Sequence, residues 1–110
     1  MRTFTADTIV TDVNNLYGGT VATGVQLINI NAALRQLLID APSARFISPI
    51  AFTDEITVAG LTTTDTVAVD IRWKQALVYF ATALAFGLAD RSSVNIERQG
   101  YYMKKYLEAL

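Results

Sequence analysis

The 110 residues suffice for one hydrophobic core and not for two, and 52% of them are hydrophobic, a large share for a domain with so high a surface-to-volume ratio. Nine Lys and Arg stand against ten Asp and Glu, a formal charge of -1, so composition offers no general attraction to nucleic acid or anionic lipid. Cysteine and histidine are both absent, which excludes disulfides, thiolate chemistry, histidine metal sites and imidazole acid–base catalysis.

The opening stretch MRTFTADTIVTD has no apolar core of signal-peptide length, so the expectation is synthesis and use in the cytoplasm. Thr5 is placed as an N-cap, with Phe4 and Ile9 at the spacing of a hydrophobic staple. The first helix is predicted over 5–17, its apolar side formed by Ile9, Val13, Leu16 and Tyr17 and its end set by Gly18-Gly19. Thr23 and Gln26 have the spacing of a capping box, which starts a second helix over 24–41. Leu27, Ile30, Leu34, Leu37, Leu38 and Ala41 make its apolar stripe, and Pro42 ends it.

From 43 to 69 β-branched residues become frequent and helix formers thin out. A small hairpin or extended segment is predicted over about 45–69, drawn from RFISPIAF, EITVAG and TVAV. Its apolar residues Phe46, Ile50, Phe52, Ile56 and Val58 exceed what two short strands readily hide, so core packing and a subunit or tail-side interface both remain open for them.

Asp70 is the expected cap of a third helix over 70–89, apolar on nearly every side, with Trp73, Leu77, Phe80, Leu84 and Leu88 on one face. The uncharged run from Gln75 to Ala89 spans roughly 22 Å at about 1.5 Å per residue, short of a hydrocarbon core of roughly 30 Å. The reading is therefore the centre of a bundle and not a membrane span. A turn at Asp90 to Ser93 leads to a fourth helix over 93–109. Ile96, Gly100, Met103, Leu107 and Leu110 recur on it at four, three, four and three, and are expected to form its inward seam. That assignment turns Tyr101, Tyr102 and Tyr106 elsewhere, and tyrosine is enriched at protein interfaces, so these three with Lys104, Lys105 and Leu110 are candidate interface residues. Gly87 and Gly100 are candidate points of close helix approach.

Chemistry has little to work with. The adjacent carboxylates Asp54-Glu55 fall in an expected turn, Gly18-Gly19 lacks the lysine and hydroxyl of a phosphate loop, and Asp7 and Asp12 are offset too far on a helix to share a metal. No catalytic, metal or cofactor site is assigned. The last two helices superficially read as helix-turn-helix, with Arg91, Arg98, Lys104 and Lys105 for phosphates and Asn95 or Gln99 for a base edge. Against this, the first of the pair is apolar all round and the basic residues are spread along the second. The expected fold is a single mainly α domain, a four-helix bundle with a small hairpin between helices two and three. A mean hydropathy of +0.31 points the surplus apolar surface toward neighbouring subunits.

The order of parts, with an INIxAAL helix ending in DAPSAR, then WKQALVYFATALAFGLAD and NIERQGYYMKKYLEAL, resembles the small head-to-tail adaptor (connector) proteins of tailed bacteriophages. The likeness is carried by Ile30, Asn31, Leu34, Pro42, Ala44, Trp73, Ala76, Leu77, Ala81, Leu84, Asp90, Asn95, Arg98, Tyr102 and Leu107, and covers nearly the whole chain. It implies a structural virion protein of the head-to-tail neck, assembled as a ring, commonly a dodecamer, between the portal protein and a tail, stopper or nozzle protein. DNA passes through such a ring without sequence recognition. The resemblance also implies that the C-terminal helix grips the portal while loops receive the tail side. Contacts around a closed ring are heterologous, so the face of Phe46, Ile50 and Phe52, or the outward side of the first helix, is expected to meet part of helix four of the next copy. The competing reading from the residues is a small helical protein-interaction module acting as a dimer.

Overall fold

In chain order the elements are β1 (Phe4–Thr5), α1 (Ala6–Tyr17), α2 (Thr23–Asp40), β2 (Thr66–Val67), a 3-10 turn (Ile71–Trp73) running into α3 (Lys74–Leu88), and α4 (Ser93–Glu108). The structure, a computed structural model, describes residues 4–42, 66–67, 71–88 and 93–110. Phe46, Ile50, Phe52 and Ile56 lie outside the described residues, as do the side chain of Leu88 and the turn before α4.

α1 begins where Thr5 turns out of extended backbone (φ -97, ψ 159). The Thr5 hydroxyl donates to the Asp7 carboxylate instead of capping an amide, while Thr8 Oγ1 donates to the Thr5 carbonyl at 2.7 Å. Phe4 and Ile9 are both buried in the core on either side of this start. The helix stops at Gly18, whose φ of 80 places it in the left-handed region that a side chain resists, with its N–H donating to the Asn14 carbonyl at 3.0 Å.

α2 departs from its expected start. The helix includes Thr23, takes Ala22 as its N-cap and has no side-chain cap, because Gln26 does not reach back to Thr23. The Gln26 side chain is fully buried and donates through Nε2 to Asn14 Oδ1 at 2.9 Å and to the Val10 carbonyl at 3.3 Å. Asn14 Oδ1 also accepts from the Val21 N–H at 2.9 Å, so one amide oxygen near the end of α1 fixes both the connection and the angle to α2. α2 ends before Pro42, with the Ala41 N–H donating to the Leu37 carbonyl.

The four helices pack as a bundle around α3, which touches α1, α2 and α4. Ala76, Leu77, Val78, Ala81, Thr82, Ala83, Ala85 and Phe86 of α3 are all buried, and the alanines explain how three helices approach it from different sides. The expected core residues Leu27, Ile30, Leu34, Trp73 and Leu77 are buried, while Phe80 and Leu84 are half-buried. Lys74 Nζ meets Asp12 at 3.1 Å, tying α3 to α1 at a partly exposed edge. Among the described residues the sheet is one antiparallel pair, Phe4 opposite Val67 and Thr5 opposite Thr66. The strand expected at 66–69 within a hairpin thus finds its described partner at the N-terminus.

The seam expected on the fourth helix is corrected by the structure. Ile96 and Leu107, placed in the core by their spacing, are 59% and 63% exposed, and Met103 is only half-buried. Tyr106, placed at an interface, is 2% exposed and belongs to the core. The cause lies on α3, which offers α4 aromatic rings at Tyr79, Phe80 and Phe86. Phe80 meets Tyr106 edge-on with centroids 5.0 Å apart, and Tyr102 stacks on Phe86 at 5.8 Å and on Tyr79 at 6.2 Å. Ring pairs of this geometry add to the area that each ring buries, and the helix is rotated to make them.

Candidate functional site

No helix among the described residues is long and apolar enough to cross a membrane, and no group of carboxylates among them could hold a metal ion. The outward face of α4 carries exposed aliphatic side chains. Two stripes with the same spacing run along this helix one residue apart. Asn95, Gln99, Tyr102, Tyr106 and Ala109 are turned inward, each half-buried or buried. Ile96, Gly100, Leu107 and Leu110 are exposed, with Met103 half-buried among them. Covering an Ile or Leu side chain is worth about 1.5–3 kcal/mol, and here an apolar stripe is left outside while Asn, Gln and two Tyr go inside.

The tyrosines divide by this geometry. Tyr101 is exposed, edge-on to Tyr102 at 5.1 Å and beneath the Lys105 ammonium at 5.5 Å. Tyr102 is half-buried in the ring stack, and Tyr106 is taken out of the candidate interface altogether. Its hydroxyl donates to Asp40 Oδ2 at 2.7 Å, and Gln36 Nε2 donates to the same oxygen at 3.0 Å. These two hydrogen bonds, that of Tyr106 first, hold the Asp40 carboxyl below its usual value. Burial, and after it the bond to Asp40, push the Tyr106 phenol well above its usual range. The pair locks the C-terminal half of α4 to the end of α2. Of the remaining candidates Lys104 and Leu110 are exposed, and Lys105 is half-buried and reaches Glu108 at 3.7 Å.

Asn95 and Gln99, the residues assigned to a base edge, are half-buried, while Arg98 and Lys104 are exposed. Gln99 lies against Gly87 of α3, where an added Cβ would come within 2.5 Å of Gln99 Nε2, and Asn95 sits in a small pocket with Phe86, Gly87, Ile96 and Gln99. Arg98 covers the Phe86 ring at 5.5 Å. Gly87 is therefore a point of close approach, as expected. Gly100 is not, since nothing lies within 4 Å of the place a Cβ would take.

Two isoleucines of α2, Ile28 and Ile39, are also exposed, at the two ends of a stripe whose middle holds half-buried Ala32 and exposed Arg35. The outward side of α1 is polar by contrast, carrying Asp7, Thr11 and Asn15. These two isoleucines were missed in the sequence because Leu27, Ile30, Leu34 and Leu37 account for the inward stripe and make neighbouring Ile28 and Ile39 look like its margins. Gln26 Oε1 and Asn29 Nδ2 of α2 and Trp73 Nε1 of the 3-10 turn are buried with no hydrogen-bond partner among the described residues. Comparison with protein-family models, curated proteins and solved structures finds no match to this chain.

Proposed function

We propose that this chain is a structural assembly protein of the tailed-phage head-to-tail neck. It forms a homo-oligomeric ring between the portal protein and the tail, stopper or nozzle, and gives DNA a conduit. The observation that supports this reading is that exposed aliphatic side chains lie on two helices in unlike surroundings, Ile28 and Ile39 on either side of Ala32 and Arg35 on α2, and Ile96, Leu107 and Leu110 along one stripe of α4. A ring needs two unlike surfaces on each copy, because each contact around a closed axis is heterologous. The near-neutral charge suits a channel through which a polyanion slides without being held. In this reading Tyr101, Lys104, Lys105 and Leu110 of α4 stand nearest the portal, and the activity is assembly, not catalysis.

The test is native mass spectrometry of the purified chain alone and mixed with the portal protein encoded near it. A discrete ring, free or formed on the portal, is the expected outcome. A small oligomer whose mass the portal leaves unchanged would defeat the ring and favour a helical protein-interaction module instead.

A further inference from the structure

We propose that the aliphatic stripe of α4 pairs antiparallel with the same stripe on a second copy of this chain, so that the free protein is a twofold dimer. The proposal describes the free protein, and stands whether or not a ring forms later.

Three observations identify a helix, and this helix, as the occupant. Spacing comes first: Ile96, Gly100, Met103, Leu107 and Leu110 alternate four and three, the period at which one helix presents a continuous seam to another. Gly100 is the second. Glycine is the poorest helix former after proline, and the space where its Cβ would sit is open, so the chain's own packing does not require it. A facing helix does, because the missing side chain lets the two backbones approach at the middle of the seam.

Charge decides the direction. The charged residues one position after a seam residue are Glu97, Lys104 and Glu108; Glu108 is drawn to Lys105 of its own helix at 3.7 Å, whereas Glu97 and Lys104 are exposed and without an ion-pair partner among the described residues. An antiparallel pairing that sets Ile96 against Leu107 of the second copy also sets Gly100 against Met103, the long flexible side chain filling the space that glycine leaves. The same register brings Glu97 of each copy beside Lys104 of the other, twice by symmetry. A parallel pairing stacks Gly100 on Gly100 and gives neither charge an opposite neighbour. The surface is therefore complementary to itself in one direction only, as a twofold contact demands.

The test is sedimentation velocity of the full chain over a range of concentrations, for the wild type, Glu97→Lys, Lys104→Glu and the variant carrying both. Both positions are exposed, so circular dichroism is expected to show the same helix content in all four. Each single reversal creates two like-charge contacts per dimer and is expected to weaken association by about tenfold. The double reversal restores both ion pairs and returns the dissociation constant to within about threefold of wild type. A wild-type chain that stays monomeric at millimolar concentration overturns the proposal, and so does self-association of equal strength in all four proteins. Adding the portal protein separates this proposal from the ring. Monomers that form a ring only there sink the dimer and keep the ring, whereas dimers that obey the charge exchange and ignore the portal do the reverse.

Discussion

α3 and α4 pack on each other along most of their length, yet they relate to solvent in opposite ways. α3 is enclosed on three sides by α1, α2 and α4, and its four alanines, Leu77, Val78 and Phe86 are buried in several directions at once. α4 touches the body along one stripe, holds itself there by aromatic rings and one buried hydroxyl, and leaves aliphatic side chains outside. The difference separates two placements of apolar residues: in α3 they make the domain's core, and in α4 Ile96, Leu107 and Leu110 lie on its surface.

The comparison can be broken by substitutions on either side of it. Leu77→Ala in α3 removes a fully buried side chain and should cost about 3 kcal/mol, read as a lower denaturation midpoint in urea. Tyr106→Phe keeps the ring contact with Phe80 but removes the bond to Asp40, and should cost about 1.5 kcal/mol because the acceptor is charged. This variant also tests the pH dependence. Asp40 titrates below its unfolded value near pH 4, so the stabilisation from this pair is complete above that value and lost as pH falls through the folded one. Tyr106 titrates above its unfolded value near pH 10, so the same stabilisation persists below that value and is lost as pH rises through the folded one. The stability difference between wild type and Tyr106→Phe should therefore be flat from about pH 5 to about pH 9 and shrink in acid and in strong alkali; a difference that grows in acid would break the assignment.

Smaller effects sharpen the contrast. Gly100→Ala meets open space and should stabilise the dilute chain by up to about 1 kcal/mol, seen as a higher thermal midpoint. Leu107→Gln should change the stability of the dilute chain by less than about 0.5 kcal/mol, although a Leu at that spacing would normally be a core residue. A loss as large as that of Leu77→Ala would place Leu107 inside and erase the distinction between the two helices.

How much of this was legible in the sequence follows from the same distinction. α3 could be recognised as the centre because a helix apolar all round has no orientation to misjudge, and Trp73 and Leu77 are buried as their spacing predicts. The ends of α1 and α2 were marked by Gly18 and Pro42, residues whose backbone limits do not depend on the rest of the fold. α4 was misread because it carries two stripes of identical period one residue apart, and aliphatic content favours the one that the structure leaves exposed. The choice was made by Tyr79, Phe80 and Phe86 on another helix, and periodicity within a single helix holds no record of what faces it. Gln26 was misassigned for a related reason: a cap is a local expectation, and Asn14 on α1 outcompeted it. Phe46, Ile50, Phe52 and Ile56 lie outside the described residues, so their assignment rests on sequence alone.

The shortest element has a consequence for the order in which the molecule assembles. β1 and β2 contribute two residues each, but their ladder joins residue 4 to residue 67 and so closes into a ring of chain everything between them, α1 and α2 included. Closing so long a loop for so few hydrogen bonds is unfavourable until the helices have already brought its ends together. The ladder should therefore zip up after α1 and α2 have docked on α3, and open before they leave. In native-state hydrogen exchange its amides would be the early reporters of unfolding, exchanging while those of Leu77 and Val78 are still protected.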